Sequence, residues 1–337
     1  MKISVIIPCR NEKEYIEECI HAIYASYFDF ETFLSVAIVD GMSDDGTRDQ
    51  IDSLQKLYPS LRLVDNVKKM TPYAFNLGLT NNDADFYQIV GARHIISSNY
   101  LSKSLEILLH DESIWCVGGK IINAYTNSTS EIISSAMSTS FGMGLGNFRT
   151  MEKSGYTDTV TSPMYPSWVF EKIGYFDEEL VRNQDDDFNF RVTKAGGRIW
   201  LETSISLKYY VRANFQGLFS QFYQYGYWKV YVNKKHKAIT TVRQLAPPLF
   251  ALMVMCYPLF LLKVNILTVI ISLLLCMYSA LLFVFSYKTA TNLKYFLSLL
   301  RTFLTLHMSY GLGYLVGIIH FFLFNKKPSD KQKQLSR

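Results

Sequence analysis

Residues 264–285 carry no charged side chain, with Asn265 near their start, and such a run has few folds open to it. About 20 apolar residues suffice to cross a bilayer, so the run is long enough to span. Residues 302–324 are similar in length, and Gly311, Gly313 and Gly317 put small residues at the spacing of close helix packing. Residues 245–262 are also uncharged but hold Pro247, Pro248 and Pro258, the pattern of a kinked or re-entrant segment. Lys229, Lys234, Lys235, Lys237 and Arg243 precede this region, and Lys326, Lys327, Lys331, Lys333 and Arg337 follow it. Basic flanks belong in the cytoplasm, and three full crossings would put the tail on the wrong side. The expectation is two or three membrane helices, with the first stretch as the one that does not cross.

The first 240 residues have the composition of a soluble enzyme. The net charge of +5 is modest and gathers beside the apolar runs. That distribution fits anionic lipid headgroups, and the absence of a basic stripe with interleaved aromatics argues against nucleic acid. Five cysteines, Cys9, Cys19, Cys116, Cys256 and Cys276, show no metal-binding spacing, which fits a reduced setting. Residues 3–7 are too short a core for a signal peptide, so the soluble part is expected in the cytoplasm. A transporter is disfavoured, since the membrane part has few spans and His307 and His320 are as easily packing residues as a pathway.

Residues 36–39 read as a buried strand that stops at Asp40 and enters a turn, Gly41-Met-Ser43-Asp44-Asp45-Gly46-Thr47. Ligands of open α/β sheets bind outside the carboxyl ends of strands, so Asp40 is expected to face a cleft. Residues 3–7 form a similar strand ending at Pro8-Cys9-Arg10-Asn11-Glu12, where Asn11 fits a helix N-cap and Glu12 the first turn. Further strands are expected at 61–64, 85–90, 115–119 and 198–201, and helices at 49–57, from Pro72, and at 168–174. The strand at 85–90 delivers Gly91-Ala92-Arg93-His94 to the same edge. This alternation argues for a parallel sheet in a nucleotide-binding α/β domain.

Residues 123–154, rich in Ser, Thr and Gly, read as a mobile loop or lid. Their GxGxG spacing, Gly142 to Gly146, is not the dinucleotide fingerprint. Residues 215–231 crowd aromatics beside basic residues, which fits a helix along a membrane surface. An aromatic face packed on the domain fits equally well.

A second acidic run, Arg182-Asn-Gln-Asp185-Asp186-Asp187-Phe-Asn-Phe-Arg191, opens a helix that Gly196-Gly197 closes. Acids suit a helix start by the dipole, but three in succession crowd more charge than a cap needs. The run is therefore read as functional rather than as a cap.

With these motifs in this order, residues 3–237 resemble the membrane-anchored family 2 glycosyltransferases of GT-A fold, nearest to bacterial exopolysaccharide and succinoglycan enzymes. The carriers are Pro8, Asn11 and Glu12; Asp40-Gly41-x-Ser43-x-Asp45-Gly46-Thr47; Asn76-x-Gly78; and the acidic run. The resemblance implies an α/β fold, GT-A, with a mostly parallel nucleotide-binding sheet flanked by helices and a C-terminal transmembrane helical region. Residues 1–235 would be the cytoplasmic catalytic domain, including the aromatic helix at 215–231. Residues 236–244 would be a basic linker, 245–325 the membrane region and 326–337 a basic tail.

It also implies an inverting transfer from a nucleotide sugar, a UDP-sugar, to a lipid-linked polyprenyl glycan acceptor. The setting would be cell-surface polysaccharide synthesis at a bacterial inner membrane, among membrane lipids. Asp40 would read the base, Pro8, Asn11, Glu12, Asn76, Arg93 and His94 would line the nucleotide-sugar site, Asp185 would be the catalytic base and Asp187 the acid that follows it. One departure stands out: the family's Asp-x-Asp or Asp-x-His reads Gly91-Ala92-Arg93 here. The carboxylate that would hold Mg2+ or Mn2+ on the diphosphate is missing, so no metal ligand is assigned. Either Arg93 or His94 replaces the cation, or the chain is a non-catalytic sugar-nucleotide-binding subunit of a polysaccharide assembly system. At 224–228, Gln-Tyr-Gly-Tyr-Trp has Tyr227 where processive members have Arg, so a single-sugar transferase is expected.

Overall fold

The computed structural model describes residues 1–28, 31–144 and 148–328. The chain divides into two compact units, Met1–Ile122 with Met151–Tyr210, and Asn123–Thr150 with Val211–Arg337. In chain order the strands are β1 (Lys2–Cys9), β2 (Phe33–Asp40), β3 (Leu61–Asp65), β4 (Phe86–Ile89), β5 (His94–Ile96), β6 (Ile114–Ala124), β7 (Gly155–Thr157), β8 (Met164–Pro166) and β9 (Arg198–Tyr210). The helices are α1 (Ile16–Tyr24), α2 (Thr47–Leu57), α3 (Thr71–Thr80), α4 (Tyr100–His110), α5 (Ser128–Met137), α6 (Ser140–Met143), α7 (Ser167–Ile173), α8 (Gln184–Lys194), α9 (Phe215–His236), α10 (Ala246–Leu261), α11 (Ile266–Thr289) and α12 (Leu293–Ile318).

The first unit is built on one mixed sheet in the order β3-β2-β1-β4-β8-β6-β9-β5, with β7 on β9. Strands β1 to β4 pair in parallel. Strand β8 runs against β4 and β6, and β9 against β5 and β7. Ile3, Val5, Ile6 and Ile7 are all buried, as a strand covered on both faces requires. Helix α3 lies close over β1: a Cβ on Gly78 would stand 2.4 Å from Ile6 Cγ2, so only glycine lets the two elements approach.

The sequence reading and the structure part in three places. The antiparallel part of the sheet was not expected, because β5, β7 and β8 are three residues each and leave no periodicity to read. Asn11 does not cap α1, which begins at Ile16 after Tyr15; instead Asn11 takes the left-handed conformation, φ 53°. The expected loop or lid is mostly helical and belongs to the second unit. Its serines masked an apolar face, since Ile133, Ala136 and Met137 are buried. Asn127 and Ser130 cap α5 reciprocally. The Phe141 ring of α6 lies between Phe285 and Phe303, at 5.2 and 5.1 Å. The expected GxGxG run continues into residues 145–147, outside the described residues.

In the second unit α9 packs along α12. A Cβ on Gly226 would stand 2.1 Å from the Tyr310 carbonyl oxygen, and one on Gly313 2.0 Å from that of Tyr223. Tyr227 and Trp228 are buried, so the aromatic helix presents a packed face. Among the described residues, three helical stretches, Val242–Leu261, Ile266–Thr289 and Leu293–Leu323, are long and apolar enough to cross a membrane by length and composition.

Candidate active site

The loops after β1 and β2 interlock at the carboxyl edge of the sheet. The Asn11 backbone N–H donates to Ser43 Oγ at 2.8 Å, its side-chain amide donates to Asp44 Oδ1 at 2.8 Å, and the Asp44 N–H donates back to Asn11 Oδ1 at 3.0 Å. The Glu12 N–H donates to Thr47 Oγ1 at 3.0 Å, and the Gly41 N–H to the Cys9 carbonyl at 2.8 Å. The left-handed backbone at Asn11 is one that Asn tolerates better than most residues, and it turns the loop into this lattice. Pro8, next to the last residue of β1, lies opposite Val39 and gives up a ladder donor there.

Asp40 lies inside this edge. It is fully buried, accepts from the Ser43 N–H at 2.9 Å and from the Ser43 hydroxyl, and pairs with Arg48 Nη1 at 2.8 Å. The other arm of Arg48 reaches Asp65 Oδ1 at 2.8 Å, and Asp65 is the register partner of Asp40 on β3. The expectation that Asp40 faces a cleft thus meets a carboxylate folded into the edge, where Arg48 supplies the charge that burial demands. Arg48 and Asp65 were missed in the sequence. Their signal was Arg48 itself, a cation in the first turn of α2 where the dipole disfavours one.

Beyond β4, Arg93 donates from Nε to Glu12 Oε2 at 2.7 Å and lays its guanidinium over the Tyr15 ring, 4.8 Å from the centroid. About a third of Arg93 is exposed. His94 begins β5; its Nδ1 accepts from the Gly91 N–H at 3.2 Å and lies 2.8 Å from Ser162 Oγ. The neutral ring therefore carries its proton on Nε2. His94 pins the turn that carries Arg93.

Asn76 is a clamp. Its amide donates to the Phe176 carbonyl and to Glu178 Oε1, both at 3.0 Å, and accepts from the Phe176 N–H at 3.0 Å. It thereby holds the segment that leads to α8. The three acids at the start of α8 have different surroundings. Asp187 is fully buried and pairs with Arg191 Nε at 3.0 Å, and Arg191 in turn donates to the carbonyls of Ile173 and Tyr175 at 2.7 and 2.8 Å. Asp186 accepts from the Asn183 amide at 2.8 Å. Asp185 is exposed. Helix α8 is tied to β8 by the Tyr165 hydroxyl, which donates to Asn189 Oδ1 at 2.9 Å, while the Asn189 amide donates to Thr159 Oγ1 at 2.9 Å.

Pro8, Asn11, Glu12, Asp40 and Arg93 thus gather at the ends of neighbouring strands β1, β2 and β4. Asp185 stands at the start of α8, a helix anchored on β8 beside β4. Asp187 and Asn76 brace this frame. The residues at Gly91-Ala92-Arg93 do not fit a divalent metal, because they offer no carboxylate and the adjoining Glu12 is matched to a guanidinium. Among the described residues no three His, Cys, Asp or Glu side chains are grouped to hold an ion.

A family model described as Glycosyl transferase family 2 matches residues 4–165. Over 231 residues the chain is 30% identical to the dolichyl N-acetyl-alpha-D-glucosaminyl phosphate 3-beta-D-2,3-diacetamido-2,3-dideoxy-beta-D-glucuronosyltransferase of Methanococcus voltae, covering 66% of this chain and 71% of that one. The chain is a family 2 glycosyltransferase. Similarity to the succinoglycan biosynthesis protein ExoA of Rhizobium meliloti extends over 248 residues at 27% identity, 72% of this glycosyltransferase and 73% of ExoA. A solved mannosyltransferase from Pyrobaculum calidifontis, in complex with GDP-mannose and Mn2+, superposes with a TM-score of 0.64 at 17% identity, covering 94% of this chain and 86% of that one. That likeness concerns the fold, GT-A, which the expected α/β class anticipated.

Proposed function

We propose that this glycosyltransferase is an inverting enzyme that moves a sugar from a UDP-sugar to a polyprenyl-linked glycan held in the membrane. The observation that carries the reading is Asp185, the exposed acid of three, presented in the first turn of a helix. An exposed carboxylate in a braced frame suits a general base. It takes the proton of the acceptor hydroxyl as that oxygen bonds to the anomeric carbon, and the bond to the nucleoside diphosphate breaks with its electron pair on the departing phosphate. Asp40 lies at the edge where the base would dock, and a carboxylate there can accept the imide N–H of uracil once Ser43 or Arg48 yields a lone pair.

Arg93 is assigned the charge of the departing diphosphate, with Glu12 holding the guanidinium ready. On this reading transfer depends weakly or not at all on Mg2+ or Mn2+. The names of the two relatives, one acting on a dolichyl-phosphate sugar and one serving succinoglycan synthesis, support a lipid-linked acceptor and a role in cell-surface polysaccharide. A bacterial inner membrane, with the sheet-bearing unit as the catalytic domain in the cytoplasm, fits that role.

The missing carboxylate at Gly91-Ala92-Arg93 favours a second reading, a non-catalytic subunit that binds sugar nucleotides in a polysaccharide assembly system. A screen of nucleotide sugars for binding and hydrolysis, with and without Mn2+ or Mg2+, in the native chain and in Asp185→Asn separates the two. An enzyme loses turnover in the variant and keeps its affinity for nucleotide. Binding without turnover by the native chain, unchanged in the variant, supports the subunit instead.

A further inference from the structure

We infer that α10 and α11 form the transmembrane hairpin, and that α12, although apolar enough to cross, lies at the membrane interface on the side of its basic flanks. The evidence is what covers α12. Helix α9 runs beside it in the same direction for most of its length: Arg301 sits over the Phe215 ring at 4.1 Å, Gly313 meets Tyr223, and Tyr227 OH lies 3.2 Å from His320 Nδ1. At the far end Lys234 Nζ donates to the Phe321 carbonyl at 2.7 Å and to Asn325 Oδ1 at 2.6 Å. From Arg301 to Phe321 the helix rises about 30 Å, the thickness of a hydrocarbon core.

A crossing α12 would therefore draw α9 into the hydrocarbon with it. Helix α9 carries Lys229, Lys234 and Lys235, and its Asn233 is buried in a network with Gln244 at 2.9 Å, Tyr314 OH at 3.1 Å and the Thr240 N–H at 3.1 Å. Charged side chains at that depth cost several kcal/mol each. The front of α12 is sheathed in the same manner by the serine-rich α5, through Ser135 Oγ and Tyr295 OH at 2.7 Å, and by α6, whose Phe141 carbonyl lies 2.9 Å from His307 Nε2.

The hairpin differs in kind. Helices α10 and α11 run antiparallel, with Phe250 stacked on Tyr278 at 3.9 Å, Tyr257 OH 2.9 Å from Ser272 Oγ, and Thr268 Oγ1 donating to the Phe260 carbonyl at 3.1 Å. Their outer faces show Met255, Leu259, Leu262, Ile266, Leu273 and Met277, all exposed and apolar. Both feet stand on the α12 layer, at Pro247 against Gly311 and at Phe285 against Phe141. Lys263 marks the tip. This arrangement returns Lys288, Lys294, Arg301, Lys326 and Lys327 to the side of Lys234 and Lys235, as the bias of basic residues requires. It also gives the exposed edge of α12 a partner: Leu293 and Leu297 beside Lys294 and Arg301 line a shallow groove that fits the boundary between acyl chains and anionic headgroups.

The test uses the full chain in cell membranes, with Cys256 and Cys276 replaced by Ala, the buried Cys9, Cys19 and Cys116 kept, and one accessible cysteine placed by Lys263→Cys, Lys294→Cys or Lys326→Cys, all exposed positions. A membrane-impermeant maleimide is applied to inverted and to right-side-out vesicles. Lys294→Cys and Lys326→Cys are expected to label from one face and Lys263→Cys from the other. Labelling of Lys263→Cys and Lys326→Cys from the same face overturns the assignment, whether because α12 crosses or because α10 does not. Independently of any variant, a protease-cleavable tag appended after Arg337 should be removed in inverted vesicles, and its protection there would also overturn it.

Discussion

Arg93, just past the end of β4, and Glu12, just past the end of the neighbouring β1, close a 2.7 Å ion pair over the Tyr15 ring. On the resemblance of the sequence, this guanidinium takes the place of a metal-holding carboxylate. If it serves the departing diphosphate, Arg93→Ala loses a charge-assisted contact of about 1.5–3 kcal/mol, a fall of roughly 10- to 150-fold in kcat/KM. Chelation by EDTA should change the native rate less than about two-fold by the same reasoning. Transfer that collapses with chelator and ignores Arg93→Ala would refute the assignment.

Asp185 and Asp187 are two residues apart and should answer to different assays. Asp185→Asn is expected to cost roughly 10²- to 10⁴-fold in turnover, the range for loss of a general base, with nucleotide affinity and melting temperature held. Asp187→Asn strips the charge from a buried pair with Arg191 and should lower stability by about 2 kcal/mol. Kinetics together with thermal melts of both variants distinguish base from brace.

Arg48→Met leaves the carboxylate of Asp40 buried without its cation. A loss of about 3 kcal/mol is expected. The double variant Arg48→Met with Asp40→Asn should regain part of it, which a denaturant titration of the four combinations would measure.

Asn76→Ala removes all three hydrogen bonds that fix Phe176 and Glu178. The expected cost is about 1–3 kcal/mol, with faster proteolysis between α7 and α8.

Burial pushes the Cys19 thiol up to about 12, and burial, then the charge of Asp40, pushes Cys9 higher still. A folded-state pKa raised above the unfolded one contributes stability that is complete below about pH 8.5 and is lost as pH rises toward the folded value. Chemical denaturation midpoints should therefore fall as pH climbs from about 9 to 12, and the decline should weaken in Cys19→Ala. A midpoint that is flat across that window would contradict the prediction.

What could be read from the sequence was whatever depends on local pattern. Residues 36–39 announced β2 because a strand covered on both faces must be apolar throughout, and the acids at 185–187 announced a helix start. Partners distant in sequence left no such trace. Nothing near Asn76 says that its amide will meet Phe176, a hundred residues on, and nothing in a serine-rich stretch declares that α5 will find α12. The candidate site was legible as a set of positions; its division into exposed and braced groups depended on those distant partners. Arg48, missed in the sequence, was the exception in leaving a local trace, a cation at odds with the dipole in the first turn of α2.

The second unit gathers α5 and α6 with helices made much later in the chain. Phe141 meets His307, 166 residues downstream. At a synthesis rate of 5–20 residues per second, roughly 8 to 33 s pass before that partner leaves the ribosome. During that interval Ile133, Met137 and Phe141 have no native surface to rest on, so the nascent chain calls for a holdase, or for early docking at the translocon, ahead of its own last helix.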